Sequence, residues 1–242
     1  QDTKDPSTPD AIFPNNWVSS HPNGTLCLYP MFAENRRAER KSTVINFLHS
    51  NYKIQDVLDL TELEKEGIFL EGTGSMVLDH QNKIAYGCLS ERLDNAAFTS
   101  WCHKMQFKPI TFKAVDDKAQ PIYHTNVMMC VGNQFVVICL ESIPNELEKQ
   151  ILLECFLQTN KEVITISQDQ LNHFAGNMLQ VFDMHEKPHL IMSEQAHRSL
   201  EPAQVKNLEK YNPILPISIP TIEALGGGST RCMMAEIYFS PA

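Results

Sequence analysis

Five loop positions along this chain, Asn16, Glu71, His124, Asn177 and Cys232, stand just before or at the start of strand-like runs, and they follow one another at intervals of 55, 53, 53 and 55 residues. A fixed period of about 54 residues marks a repeat architecture, in which each unit buries its apolar face on the next. If the units close into a ring, the equivalent loops converge on its axis, and residues far apart in sequence become neighbours. Three of the five positions carry chemically potent side chains: a carboxylate, an imidazole and a thiol.

The content of the unit follows from local patterning. Runs rich in β-branched and apolar residues begin at Thr25, Ser75, Val127, Asn177 and Cys232. Short polar turns at Gln81-Asn82, Gly132-Asn133 and His185-Glu186-Lys187 convert three of them into hairpins. Helical segments follow over 33–50, 91–105, 144–159 and 201–211, and in 144–159 Leu147, Ile151, Leu152 and Cys155 are expected on one face. Further strands are expected over 53–58, 109–115, 161–167 and 214–219. The unit is hairpin, helix, strand, and the fold class is α/β with the whole of 1–242 as one domain of five repeats. The fifth repeat supplies only a strand over 232–239. Its completion is expected from a segment ahead of Gln1, joining both ends of the ring, because natural sheets avoid open edges.

Composition removes several function classes. The net charge is −9, and the one dense basic cluster, Arg36-Arg37-Ala38-Glu39-Arg40-Lys41, is interrupted by acid, which argues against a nucleic-acid partner. No apolar run approaches the ~20 residues needed to span a bilayer, so no membrane partner is expected. The seven cysteines are odd in number, contain no C-x-x-C pair and lie mostly in apolar runs. That pattern fits buried thiols of a reducing compartment, and the chain is read as cytoplasmic. Neither H-E-x-x-H nor paired-cysteine spacing is present, so no metal site is expected.

Three motifs stand out against bland alternatives. Gly226-Gly227-Gly228-Ser229-Thr230-Arg231-Cys232 brings a thiol to a loop whose backbone can approach a ligand closely; read alone, it is equally a flexible turn before a strand. Tyr123-His124-Thr125-Asn126 places an imidazole before a strand, and only its repeat position separates His124 from the eight other histidines. Leu70-Glu71-Gly72-Thr73-Gly74 sets a carboxylate among glycines, which in isolation is a solvent-facing loop acid. A thiol, an imidazole and a carboxylate together can run acyl- or amidino-type transfer.

In this order and spacing the motifs resemble the guanidino-group-modifying superfamily, the pentein fold, which includes arginine deiminase, dimethylarginine dimethylaminohydrolase and the amidinotransferases. The resemblance spans the whole chain and implies a five-bladed α/β propeller of ββαβ units. It implies Cys232 as nucleophile, His124 as general acid/base, and Glu71 as the carboxylate that holds a substrate nitrogen and orients His124. The stretch YPMFAENRRAER over 29–40 is similar to the family's basic helix start, making Arg37 or Arg36 a candidate for the substrate α-carboxylate, with Arg92 in Ser90-Glu91-Arg92 as a second such arginine. Asn177 joins the substrate-binding set by its repeat position.

Arginine-handling members hold the guanidinium with aspartates at two positions where this chain has Asn16 and Asn126. Amides compensate a buried cation poorly but suit a neutral ureido group. The expected function is therefore cysteine-dependent C–N hydrolysis of a citrulline-like amino acid, without metal or organic cofactor. The wording FPNNWVS and GTGSM also resembles the bacterial citrulline-utilisation hydrolase branch. Arginine or methylarginine hydrolysis, amidino transfer and a non-catalytic pentein scaffold are the alternatives. The partner expected is a small-molecule amino acid, and a homodimer is one assembly open to the chain.

Overall fold

Each hairpin–helix–strand segment folds as its own three-stranded sheet in the computed structural model, which describes residues 6–242. The first sheet holds β1 (Val18–Ser20), β2 (Thr25–Leu28) and β3 (Asp56–Asp59). The second holds β4 (Met76–Asp79), β5 (Ile84–Cys88) and β6 (Lys108–Phe112). The third holds β7 (Met129–Val131), β8 (Phe135–Ile138) and β9 (Glu162–Thr165). The fourth holds β10 (Leu179–Phe182), β11 (Pro188–Ser193) and β12 (Ile214–Ile217).

In every sheet the first two strands pair antiparallel and the third pairs parallel to the second. A parallel return demands a crossover, which helices Ser42–Asn51, Asn95–Met105, Glu146–Gln158 and Pro202–Glu209 supply. Their starts are set by sequence: Asp94 accepts from the Ala97 N–H, and Asn145 from those of Leu147 and Glu148. The middle strands β2, β5 and β8 are buried at every position, as expected for strands covered on both faces, while β3 is largely exposed. Strand β7 contacts both β4 and β10, so the first strands of successive units lie side by side. This is the ββαβ construction that the spacing implied, and the α/β class holds.

Three local expectations are corrected. The helix over 33–50 is two helices, Glu34–Arg37 and Ser42–Asn51; across the break Arg36 pairs with Glu39 while Arg40 reaches Glu64. In the helix Glu146–Gln158, Leu152 and Cys155 are buried but Leu147 and Ile151 are 69% and 54% exposed. Five residues turn a helix by about 140° beyond a full turn, so Leu147 and Leu152 cannot share a stripe. Finally, 232–239 forms no ladder strand. Thr230–Met233 is a 3-10 turn, and the segment after it is held on the first unit by other bonds. Ser20 Oγ donates to the Glu236 carbonyl and accepts from the Tyr238 N–H, Lys53 N–H donates to the Ser240 carbonyl, and Ala242 N–H donates to the Asn51 carbonyl. Phe239 is buried there with Trp17, Val18, Leu26 and Leu28. The last segment of the chain thus lies against the first unit.

That junction contains an acid-sensitive element. His21 is buried and His80 half-buried beside Trp101, Phe107 and Tyr238. Burial, with His80 and Lys83 nearby, pushes His21 down to about 3. A folded-state value below the unfolded one means stability that is full above pH 6.5 and is lost as pH falls toward 3. Between pH 6.5 and pH 5 the loss is expected to be about 2 kcal/mol, at about 1.4 kcal/mol per pH unit. Urea unfolding at the two pH values measures it, and His21→Gln should flatten the slope.

Candidate active site

Four of the five repeat positions occupy turns ahead of the first strand of a unit, and the fifth, Cys232, lies in a turn that no ladder strand follows. Asn16 ends the 3-10 turn Pro14–Asn16, Glu71 precedes the helical turn Gly72–Ser75, and His124 precedes Thr125–Met128. Asn177 leads into β10, and Cys232 lies within Thr230–Met233. These turns pack on one another, and all five side chains are buried. The glycines of LEGTG permit this. A Cβ at Gly72, whose φ is +42°, would lie 2.4 Å from the Asn15 carbonyl. One at Gly74 would lie 2.9 Å from Asn16 Oδ1 and 3.0 Å from His124 Cε1.

Glu71 is the hub, with no exposed surface. Its Oε2 lies 2.7 Å from His124 Nε2 and accepts from Arg92 Nη1 at 3.0 Å. Its Oε1 accepts from the Phe32 N–H at 2.9 Å. Burial would push this carboxyl up, but the hydrogen bond and charge of His124, the Arg92 guanidinium and the Phe32 N–H outweigh it and hold the group down at about 2. For His124 burial dominates over the pull of Glu71 and lowers the imidazole, leaving it neutral near pH 7. A neutral ring with Nε2–H donating to Glu71 carries its lone pair on Nδ1, a tautomer assigned from the hydrogen-bond network. Asn16 Nδ2 is 3.4 Å from both Glu71 Oε2 and His124 Nε2.

Around Cys232 the partners are amides. Asn177 Nδ2 is 3.2 Å and Asn126 Nδ2 3.5 Å from Sγ. The amide oxygens Asn16 Oδ1 and Asn126 Oδ1 are buried without hydrogen-bond partners, as are both side-chain polar atoms of Asn15. Buried polar atoms are nearly always satisfied, so these mark a surface that a ligand or water completes.

The three arginines differ in what they have left to give. Arg92 spends only Nη1 on Glu71, is 26% exposed, and lies between the rings of Phe32 and Tyr123 at 5.6 and 5.4 Å. It also borders a cavity of about 570 Å³ that reaches Glu91, Lys113 and Tyr123. Arg37 donates to the Met31 carbonyl and lies 3.5 Å from Glu64. Arg36 is tied into the protein through Nε and Nη2, donating to both oxygens of buried Glu39 and to the carbonyls of Phe13 and Asp10. It fixes the turn that carries Asn16. Arg36→Met would strand the Glu39 carboxylate and is expected to cost about 3–5 kcal/mol in urea unfolding with little change in substrate KM. An unchanged stability with a raised KM would instead make Arg36 a substrate ligand.

Two contributors escaped the sequence reading. Tyr123 touches His124, stacks on Arg92 and donates its hydroxyl to the Gly227 carbonyl at 3.0 Å; its place beside His124 was the available signal. The Phe32 N–H is a backbone donor, for which side-chain identity gives no signal.

The comparisons agree on the fold. The sequence model of the family described as N,N dimethylarginine dimethylhydrolase, eukaryotic, matches residues 1–239. The arginine dihydrolase ArgZ, from the ornithine–ammonia cycle in cyanobacteria, superposes with a TM-score of 0.73 at 13% identity, over 94% of this chain and 33% of that one. Its N-terminal domain bound to substrate gives 0.73 at 13% identity, over 96% and 76% of the two chains. A DDAH mutant from Pseudomonas aeruginosa complexed with citrulline gives 0.62 at 14%, over 93% and 75%. The chain thus spans about a third of the full-length dihydrolase and three quarters of that enzyme's N-terminal domain. No curated protein matches it in sequence.

Proposed function

The chain belongs to the family of eukaryotic N,N dimethylarginine dimethylhydrolases, within the guanidino-group-modifying superfamily, and from that premise we propose that it hydrolyses a C–N bond of a ureido or guanidino amino acid, with a citrulline-like substrate favoured. One observation carries the substrate preference. The carboxylate of the site, Glu71, is already met by Arg92 and His124, and the other walls offer the unpartnered amide oxygens of Asn16 and Asn126. A neutral ureido group can donate to those oxygens without the desolvation cost of a buried cation facing amides.

In this reading the substrate α-carboxylate is taken by Arg92, with Arg37 beyond it, and the ureido carbon comes to Cys232. The Cys232 thiol gives its proton to the free nitrogen of His124, the resulting thiolate adds to that carbon, and backbone N–H groups of the 226–232 loop face the developing oxyanion. His124, oriented by Glu71, gives a proton to the departing nitrogen as the C–N bond breaks. It then takes a proton from the water that attacks the thioester-like adduct, and the sulfur leaves. Citrulline would yield ornithine, ammonia and carbon dioxide. The seven unpaired cysteines support a reducing, cytoplasmic setting, and no helix among the described residues is long and apolar enough to cross a membrane.

The test is to incubate the full-length protein separately with citrulline, arginine and dimethylarginine and to follow ornithine, citrulline and dimethylamine by mass spectrometry. Ornithine from citrulline, with the other two inert, is the expected result. Citrulline formed from arginine or dimethylarginine, with citrulline itself inert, would replace the ureido reading with the guanidino one.

A further inference from the structure

We infer that Asn177 acts on the nucleophile and not on the substrate: it is the hydrogen-bond donor and positioning residue of the Cys232 sulfur. This deepens the reading of Cys232 given above and rests on it. Asn177 is 1% exposed, and each of its polar side-chain atoms is spent within the protein. Its Nδ2 lies 3.2 Å from Cys232 Sγ and 3.0 Å from the Asn126 carbonyl. Its Oδ1 accepts from the Arg231 N–H at 3.0 Å. Its own carbonyl accepts from Thr230 Oγ1 at 3.3 Å. The turn carrying the sulfur is therefore stapled to Asn177 through the two residues preceding Cys232, and the sulfur itself is touched by the same amide.

The charge balance explains why a donor is needed there. A reactive thiolate is ordinarily stabilised by a nearby cation or a helix N-terminus. The adjacent Arg231 guanidinium turns away, to the Met234 carbonyl at 2.8 Å and to Glu236 at 3.0 Å. Among the described residues no cationic group contacts Sγ, and its side-chain partners are the amides of Asn177 and Asn126. Amide N–H groups fixed by other bonds can offset the negative charge without reorganising when the sulfur attacks.

Asn177→Asp reverses the polarity at unchanged size, and Asn177→Ser shortens the side chain, drawing its donor back from the sulfur without adding charge. In the substrate-free protein, iodoacetamide alkylation of the Cys232 peptide at pH 7, quantified by mass spectrometry, is expected to slow about tenfold or more in Asn177→Asp and severalfold in Asn177→Ser. The kcat of the aspartate variant should fall about 100-fold with KM within twofold, the pattern of a residue that does not bind substrate. Thermal unfolding of both variants separates this from misfolding, and the serine variant serves if the aspartate one does not fold. Unchanged alkylation at pH 7 with a raised KM would overturn the inference and make Asn177 a substrate ligand. A fully active Cys232→Ala would instead overturn the reading on which it rests.

Discussion

Cys232→Ala is expected to lower kcat/KM on the order of 10⁴-fold or more while leaving the fold intact. The side chain is buried and small, and among the described residues its sulfur meets the side-chain amides of Asn126 and Asn177, so the variant loses little packing. Its loss of activity should be non-additive with His124→Ala. The imidazole has no proton to deliver productively when no S–C bond forms, so the double variant should be nearly as active as Cys232→Ala alone. Circular dichroism and urea unfolding provide the control. A residual rate within tenfold of wild type would mean that water is activated without a covalent intermediate.

The second large effect concerns substrate choice. Converting both Asn16 and Asn126 to Asp should move the ratio of arginine to citrulline kcat/KM by about 10² or more toward arginine, because a guanidinium then finds carboxylates where amide oxygens lay unpartnered. The two positions are not equivalent. Asn16 lies 3.4 Å from Glu71 Oε2, so an aspartate there adds a like charge, and one of the two carboxyls is expected to hold a proton in the empty site. Asn126 instead gives its amide N–H to Cys232 Sγ, so its replacement also removes a donor from the nucleophile and lowers kcat for every substrate. The ratio, not the absolute rate, is the informative quantity. An unchanged ratio in the double variant would show that selectivity lies elsewhere in the pocket.

Much of this arrangement could be read before any coordinates. The 53–55-residue intervals locate Asn16, Glu71, His124 and Asn177 because each stands in the turn ahead of a unit's first strand, and Cys232 keeps the interval although no ladder strand follows it. The crossover helices were legible as the segments 91–105 and 144–159 between strand-like runs, while the caps that start them, Asp94 and Asn145, are seen in the structure. Other features depend on tertiary partners that periodicity does not encode. Arg36 and Arg92 look alike as exposed-helix or loop cations, yet one is locked onto Glu39 and the other lies open beside Glu71. Leu147 and Ile151 fit an apolar stripe by composition but face outward, because the buried arc of their helix is set by Leu152, Cys155 and Phe156. The segment after Cys232 has strand-like composition, but its backbone bonds to Ser20 and to residues 51–53 singly and not as a ladder.

The most direct test of the central claim is to mix the full-length protein with citrulline, quench in acid during turnover and map covalent additions by peptide mass spectrometry. The account predicts an adduct on the peptide bearing Cys232 alone among the seven cysteines, and its loss when His124 is replaced by Ala, because the departing nitrogen then has no proton donor. Turnover of citrulline with no addition at Cys232 at any quench time would contradict it.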